Sequence, residues 1–269
     1  MTSPTSLTAY VQAIGLRGPG LEGWLAAQRV LAGDAPYRPE RTVLPAANRL
    51  PPAERRRVGP VVKIALAVAD EALSQVTPDG AGIPTIFTSS GGDGENYNVI
   101  CSTLASDDRA LSPTRFHNSV HNAPSGYWSI ASGDRAPSQV LCAHDGSFAA
   151  GLLEAFTQLA LDGGRVAVIA YESDYPEPLR AVRPIPDAFG MALVLAAVPD
   201  AQARFKLTIE LGDTAIDALA EPALEALRLA IPCARALPLA TLMARGESGR
   251  CVLEYLPGSS LQVEVTPCS

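Results

Sequence analysis

Apolar runs of strand length alternate with amphipathic, helix-length segments, and short glycine-containing turns separate them. The longest run, Ala188 to Val198, is continuously apolar and reads as a strand buried on both faces. Leu7 to Leu16, Ile83 to Thr88, Gln139 to Ala143 and Val166 to Tyr171 read as further strands. Between them, Leu21 to Leu31, Val61 to Val76, Asn96 to Leu104 and Phe148 to Leu161 carry helical spacing. In the second of these, Val62, Leu66, Ala69 and Leu73 fall on one stripe. Such alternation predicts an α/β layered fold with helices around a mixed, mostly parallel five-stranded sheet.

Seventy residues follow Pro199. They read as a strand (Phe205 to Leu211), two helices (Ile216 to Leu229 and Leu237 to Ala244) and a hairpin (Cys251 to Leu256 and Leu261 to Val265). The predicted organisation is a main domain over 1–199 and a small α+β extension over 200–269, packed on it. A Pro- and Arg-rich connector up to Arg57 has no periodicity and reads as a surface loop.

Composition narrows the function. A formal charge of -7 argues against broad nucleic-acid binding, which needs phosphates neutralised. Arg38, Arg41, Arg49 and the triplet Arg55, Arg56 and Arg57 are a local exception. They read as a solvated loop or as a docking patch for an acidic partner such as a carrier protein. No apolar run approaches the roughly 20 residues of a membrane span. The start, Met1 to Ser6, has no basic region leading into an apolar core, so a signal peptide is not expected and a cytoplasmic location is. Five scattered cysteines without a CxxC pair support neither a disulfide framework nor a zinc site.

The chemistry-bearing stretch is Leu111 to Ser147. Asn122-Ala-Pro-Ser-Gly126 opens a helix, and Gly133-Asp-Arg-Ala-Pro-Ser138 leads into a short apolar strand. His144-Asp-Gly-Ser147 then enters a helix. This order resembles the approach to the nucleophile in β-ketoacyl synthases of the thiolase-like superfamily. There the seventh residue after the Ser of the turn is the acyl-accepting Cys; here it is Asp145. In complete members of that family the two catalytic histidines lie in a second half that this chain lacks. His117 and His121 precede the nucleophile position and do not match them.

The resemblance implies a thiolate at a helix N-terminus, where dipole and free N–H groups lower its pKa, and an oxyanion hole beside it. With Asp145 in place of the thiol, it implies a chain-length-factor-like subunit without catalysis or cofactor. Such a subunit pairs with an active ketosynthase in type II fatty-acid, polyketide or aryl polyene synthesis, and meets the acyl carrier protein through that complex; the resemblance leaves open whether the chain homodimerises when alone. The resemblance places Phe116, His117, His121, Asn122, Tyr127 and Trp128 at the partner's acyl tunnel, and Gln139, Val140 and Leu141 in a strand paired across the dimer axis. The alternative for Trp128, with Ile130, is the chain's own core. Asp145 itself is expected to cap the following helix.

Other assignments compete. His144 and Ser147 would serve an acyl-thioester hydrolase or acyltransferase, although the glycine two before the serine of a nucleophile elbow is absent. A carrier-protein-binding scaffold is a third alternative. His117 and His121 share a helical spacing used by metal ligands, without a third ligand nearby. Ser89-Ser-Gly-Gly92 follows a strand and precedes a helix but lacks the P-loop lysine, so a plain turn is expected.

Overall fold

The computed structural model describes residues 6–77 and 80–268. The stretch Met1 to Thr5, on which the expectation of no leader rests, lies outside them. The chain opens with β1 (Leu7–Gly18), a short β2 (Leu21–Glu22) and α1 (Trp24–Ala32). The connector is irregular apart from one turn, α2 (Pro52–Arg55), and ends at α3 (Pro60–Leu73), begun by proline in its first turn. Then come β3 (Thr85–Thr88), α4 (Gly94–Leu104), α5 (Pro113–His117), α6 (Ala123–Ser132) and β4 (Ser138–Leu141). A 3-10 turn (His144–Gly146) leads into α7 (Ser147–Asp162), followed by β5 (Arg165–Glu172), α8 (Leu179–Val182) and β6 (Phe189–Ala196). The remainder is β7 (Phe205–Gly212), α9 (Pro222–Ala230), a 3-10 turn (Pro232–Ala236), α10 (Leu237–Arg245), β8 (Gly249–Leu256) and β9 (Ser259–Pro267).

The α/β class is as expected from the sequence, but the strand count and directions differ. One mixed sheet of nine strands runs β4-β3-β5-β6-β1-β7-β9-β8, with β2 on β1. Only β3 with β4 and β3 with β5 are parallel; the other pairings are antiparallel. The cause lies in the connections. Parallel neighbours need a crossover of helix length, which α4 to α6 and α7 supply. Between β5 and β6 only the single turn of α8 intervenes, so the chain reverses. The burial expected for the 188–198 run holds for Ala188 and for every residue of β6, between β5 and β1, but Ala197 is half-buried and Val198 is 69% exposed.

Residues 200–269 were expected to pack on the main domain. Their strands instead continue its sheet, because β7 pairs with the free edge of β1 from Leu7↔Ile209 to Val11↔Phe205. The helix expected from Ile216 begins only at Pro222; residues 213–221 are irregular. Two cores result. Helices α1, α7 and α10 close one face of the sheet over Leu152, Phe156, Leu193 and Val263. Helices α3 and α6 close the other over Phe87, Ile169 and Val194.

Helix α3 lies close enough to β1 that a Cβ on Gly15 would sit 2.3 Å from the Val68 carbonyl oxygen. Its Glu71 carboxylate accepts the N–H groups of Leu16 (3.0 Å) and Trp24 (2.5 Å), supplying α1 with the cap that Gly23 lacks. Gly15→Ala is therefore expected to push α3 off the sheet and cost about 3 kcal/mol or more, read as a lowered urea midpoint.

Candidate functional site at the β4–α7 turn

Position 145 lies in the 3-10 turn that carries the chain from the C-terminal end of β4 into α7. The turn is tight. His144 has φ 50°, a left-handed value uncommon outside glycine, and the Gly146 N–H closes on the Ala143 carbonyl at 3.0 Å. Gly146 is dictated by a neighbour: a Cβ there would lie 1.8 Å from the Tyr255 carbonyl oxygen of β8.

Asp145 does not cap α7. The N-cap of that helix is Gly146, with no side-chain hydrogen bond. The carboxylate turns instead toward two arginines distant in sequence. Arg183 Nη2 donates to Oδ1 at 2.6 Å, and Arg235 Nη2 donates to Oδ2 at 3.2 Å. His144 Nδ1 stands 3.7 Å from Oδ1. Burial alone would raise the Asp145 carboxyl; the Arg183 hydrogen bond and the charges of Arg235, Arg183 and His144 outweigh it and hold the group below its ordinary 3.8. A carboxylate so satisfied is a weak base and a poor nucleophile. Sequence reasoning missed both arginines, which lie 38 and 90 residues away and carry no local signal.

The alternative pair does not assemble. Ser147 is buried, its hydroxyl donating to the His144 carbonyl (2.7 Å) and accepting the Ala143 N–H (3.0 Å). The His144 ring is largely exposed and faces Asp145. Ser147 Oγ is thus a turn-closing group with no base, contrary to the hydrolase alternative.

The residues assigned to the partner's tunnel separate into two sets. Phe116 is 66% exposed, with Val120 also exposed nearby, and His117 and Asn122 lie at the surface. Tyr127 and Trp128 instead fill the chain's own core. The Tyr127 hydroxyl donates to Asn118 Oδ1 (3.0 Å), and Arg49 lies 5.5 Å over the Trp128 ring. Their spacing with Pro124 and Ala131 is one helical stripe, a signal that could have placed them there. Ile130 points outward instead, 47% exposed. His121 is half-buried, and burial lowers its imidazole below the ordinary 6.5 against a backbone hydrogen bond at Ser89. Among the described residues no cluster of three His, Cys, Asp or Glu could hold a metal.

Gln139, Val140 and Leu141 form the edge strand β4, Gln139 exposed and the other two half-buried. Arg55 is not free to dock a partner: it donates to Asn48 Oδ1 (3.3 Å) and to the Leu50 carbonyl (3.2 Å). Arg57 pairs with Glu54 (2.8 Å), and Arg56 is exposed beside Arg115 in a cleft of about 460 Å³.

Beneath the turn, at the C-terminal end of β5, Glu172 is fully buried and accepts the Ser90 N–H at 2.5 Å and, more weakly, the Ser89 hydroxyl at 3.4 Å. In the Ser89–Gly92 segment, the Ser90 N–H and the Ser89 hydroxyl are thus directed at this carboxyl, and the Gly92 N–H at Ser89 Oγ (3.0 Å). Burial pushes Glu172 up to about 7 from 4.5, with those hydrogen bonds and Arg183 opposing.

This arrangement, helices on both faces of a mixed sheet with a turn at the end of a parallel strand, is that of the thiolase-like condensing-enzyme fold. Similar solved structures include a ketosynthase (ApeO) in complex with its chain length factor (ApeC) from Xenorhabdus doucetiae. That match has 21% identity and a TM-score of 0.73 and covers 96% of this chain and 99% of that one. The ishigamide ketosynthase/chain length factor matches at 10% identity and TM-score 0.73, over 98% and 100% of the two chains. AntDE:AntF, a type II polyketide synthase acyl-carrier protein in complex with its ketosynthase bound to the hexaketide, matches at 9% and 0.70, over 98% and 100%. The sequence profile of the β-ketoacyl synthase N-terminal domain matches residues 24–248, and the chain belongs to that family. No protein of curated function matches the sequence.

Because the folded value for Glu172 lies above the unfolded one, its contribution to stability is full below about pH 4.5 and is lost as pH rises through about 7. Urea midpoints are expected to fall between pH 5 and pH 8 by the equivalent of a few kcal/mol, each tenfold change in proton affinity being worth about 1.4 kcal/mol. Glu172→Gln is expected to flatten that slope; an unchanged slope would show that another group sets it.

Proposed function

We propose that this chain is a non-catalytic, chain-length-factor-like subunit that pairs with a Cys-containing β-ketoacyl synthase and shapes that partner's acyl tunnel. The observation that carries the reading is Asp145. The position that holds the nucleophile in the family carries a carboxylate with both oxygens held by arginines. Two of the similar structures are described as ketosynthase and chain length factor together, which supports the same pairing here.

In this reading the pathway is type II polyketide, aryl polyene or fatty-acid synthesis in the cytoplasm. Edge strand β4 meets the partner, and exposed Phe116 faces its tunnel. Arg56, with Arg115 added from the structure, remains for an acidic carrier protein; Arg55 does not. Residues 1–199 supply the ketosynthase-like half, and 200–269 complete its sheet.

Analytical ultracentrifugation of the chain co-expressed with a full-length ketosynthase is expected to show a one-to-one complex. The chain alone is expected to give no condensation of acyl and malonyl thioesters. Two non-interacting species, or condensation by the isolated chain, would overturn the reading. In an assembled complex, Phe116→Ala is expected to lengthen the product and leave rate nearly unchanged, because removing the ring enlarges the tunnel. An unchanged product distribution would remove Phe116 from that role.

A further inference from the structure

The charges at position 145 extend beyond one ion pair. Arg235, 9% exposed, also donates Nε to Glu254 Oε2 at 2.7 Å, and its Nη1 to the carbonyls of Arg228 (2.7 Å) and Leu229 (3.3 Å). Its guanidinium is therefore fixed by β8 and by the end of α9 whether or not Asp145 is present. Arg183 arrives independently, from the β5–β6 connection. Each arginine donates one charge-assisted hydrogen bond to a different oxygen of one carboxylate, so that both oxygens are held.

Access to this point exists. A cleft of about 680 Å³ borders Asp145, His144, Asp213, Tyr255 and Ser260. On its wall Ser260 is 2% exposed, and its hydroxyl has no hydrogen-bond partner among the described residues. Glu254, on the same wall, leaves room for a single negative charge beside Arg235 and repels a dianion such as phosphate.

We propose that Arg183 and Arg235 form a carboxylate-binding site behind Asp145, which itself borders this cleft, and that Asp145 is the tethered occupant of that site. The chain fills, with its own side chain, a receptor that would otherwise take a small monocarboxylate from solution. Position 145 is inert because its pocket is occupied, and the occupying group also bolts the turn to the C-terminal segment. None of this depends on pairing with a ketosynthase.

Thermal melts of Asp145→Ala with sodium formate test the proposal. Removing the occupant is expected to lower Tm by about 10 °C, the effect of leaving a buried charge short of its partner. Formate is expected to restore a substantial part of the loss saturably, while sodium chloride at equal ionic strength does not. Wild type, its site filled, is expected not to respond, and Asp145→Ala/Arg183→Met is expected to lose the response. Should the single variant not accumulate, its refolding yield from urea with and without formate reads the same binding. No response, an equal response to chloride, an equal shift in wild type or a response retained in the double variant would each overturn the proposal.

Discussion

Strand β1 is hydrogen-bonded along both edges, to β6 on one side and β7 on the other, and the rest of the architecture hangs on that double pairing. A register shift between Val11 and Ala13 changes which face its side chains address. Ala9 and Val11 point into the core under α7 and α10, Ala13 into the core under α3, and Ile14 and Leu16 return to the first. One bulge thus lets an apolar run without simple alternation serve two cores. Because β1 has a second edge to offer, the C-terminal strands extend a sheet that already exists. Their inner faces, with Leu207, Leu253 and Val263, enlarge the core closed by α7.

That extension is what makes the site possible. Arg235 stands in the 3-10 turn leading into α10, and Glu254, which orients it, stands on β8. Asp145 therefore joins three stretches remote in sequence: the β4–α7 turn, the β5–β6 connection and the C-terminal segment. A partly buried ion pair of this kind is weak evidence for net stability, since desolvation offsets much of its attraction. Its value lies in specificity of arrangement: a neutral residue at 145 would leave Arg235 sharing only Glu254, and a thiol could not bridge two cations.

Much of the element order was legible because strand and helix periodicities are local properties. Apart from the short β2, which fell inside an expected helix, the sequence of strands through β6 and the terminal hairpin follow from apolar runs and a Pro-Gly turn. Strand direction was not legible, since it depends on whether a connection contains a full helix, and α8 is only four residues. The turn that holds Asp145 could be located by counting from Pro137-Ser138. The Arg183 and Arg235 clamp could not, because nothing near either arginine marks its partner. Nor does a basic triplet reveal that Arg55 donates to the loop it borders, at Asn48 and Leu50.

The two edges of the sheet are treated differently, and the difference bears on what the chain is built to meet. At one end β8 is closed by residues 213–221, where Asp217 exchanges hydrogen bonds with Val252 through its carboxylate (2.9 Å) and its N–H (3.2 Å). At the other end β4 pairs only with β3 among the described strands, and its residues Ser138, Gln139, Val140 and Leu141 carry no charge. Edge strands that must remain alone are blunted by charged side chains, proline, bulges or a covering loop. Here one edge has a covering loop, while the other has only shortness in its defence. A further strand therefore meets an obstacle at β8 and an open, uncharged ladder at β4, three residues before the turn that holds Asp145. A neighbour seated on β4 would approach the clamped turn directly, so the turn that holds Asp145 is also the one nearest the open edge.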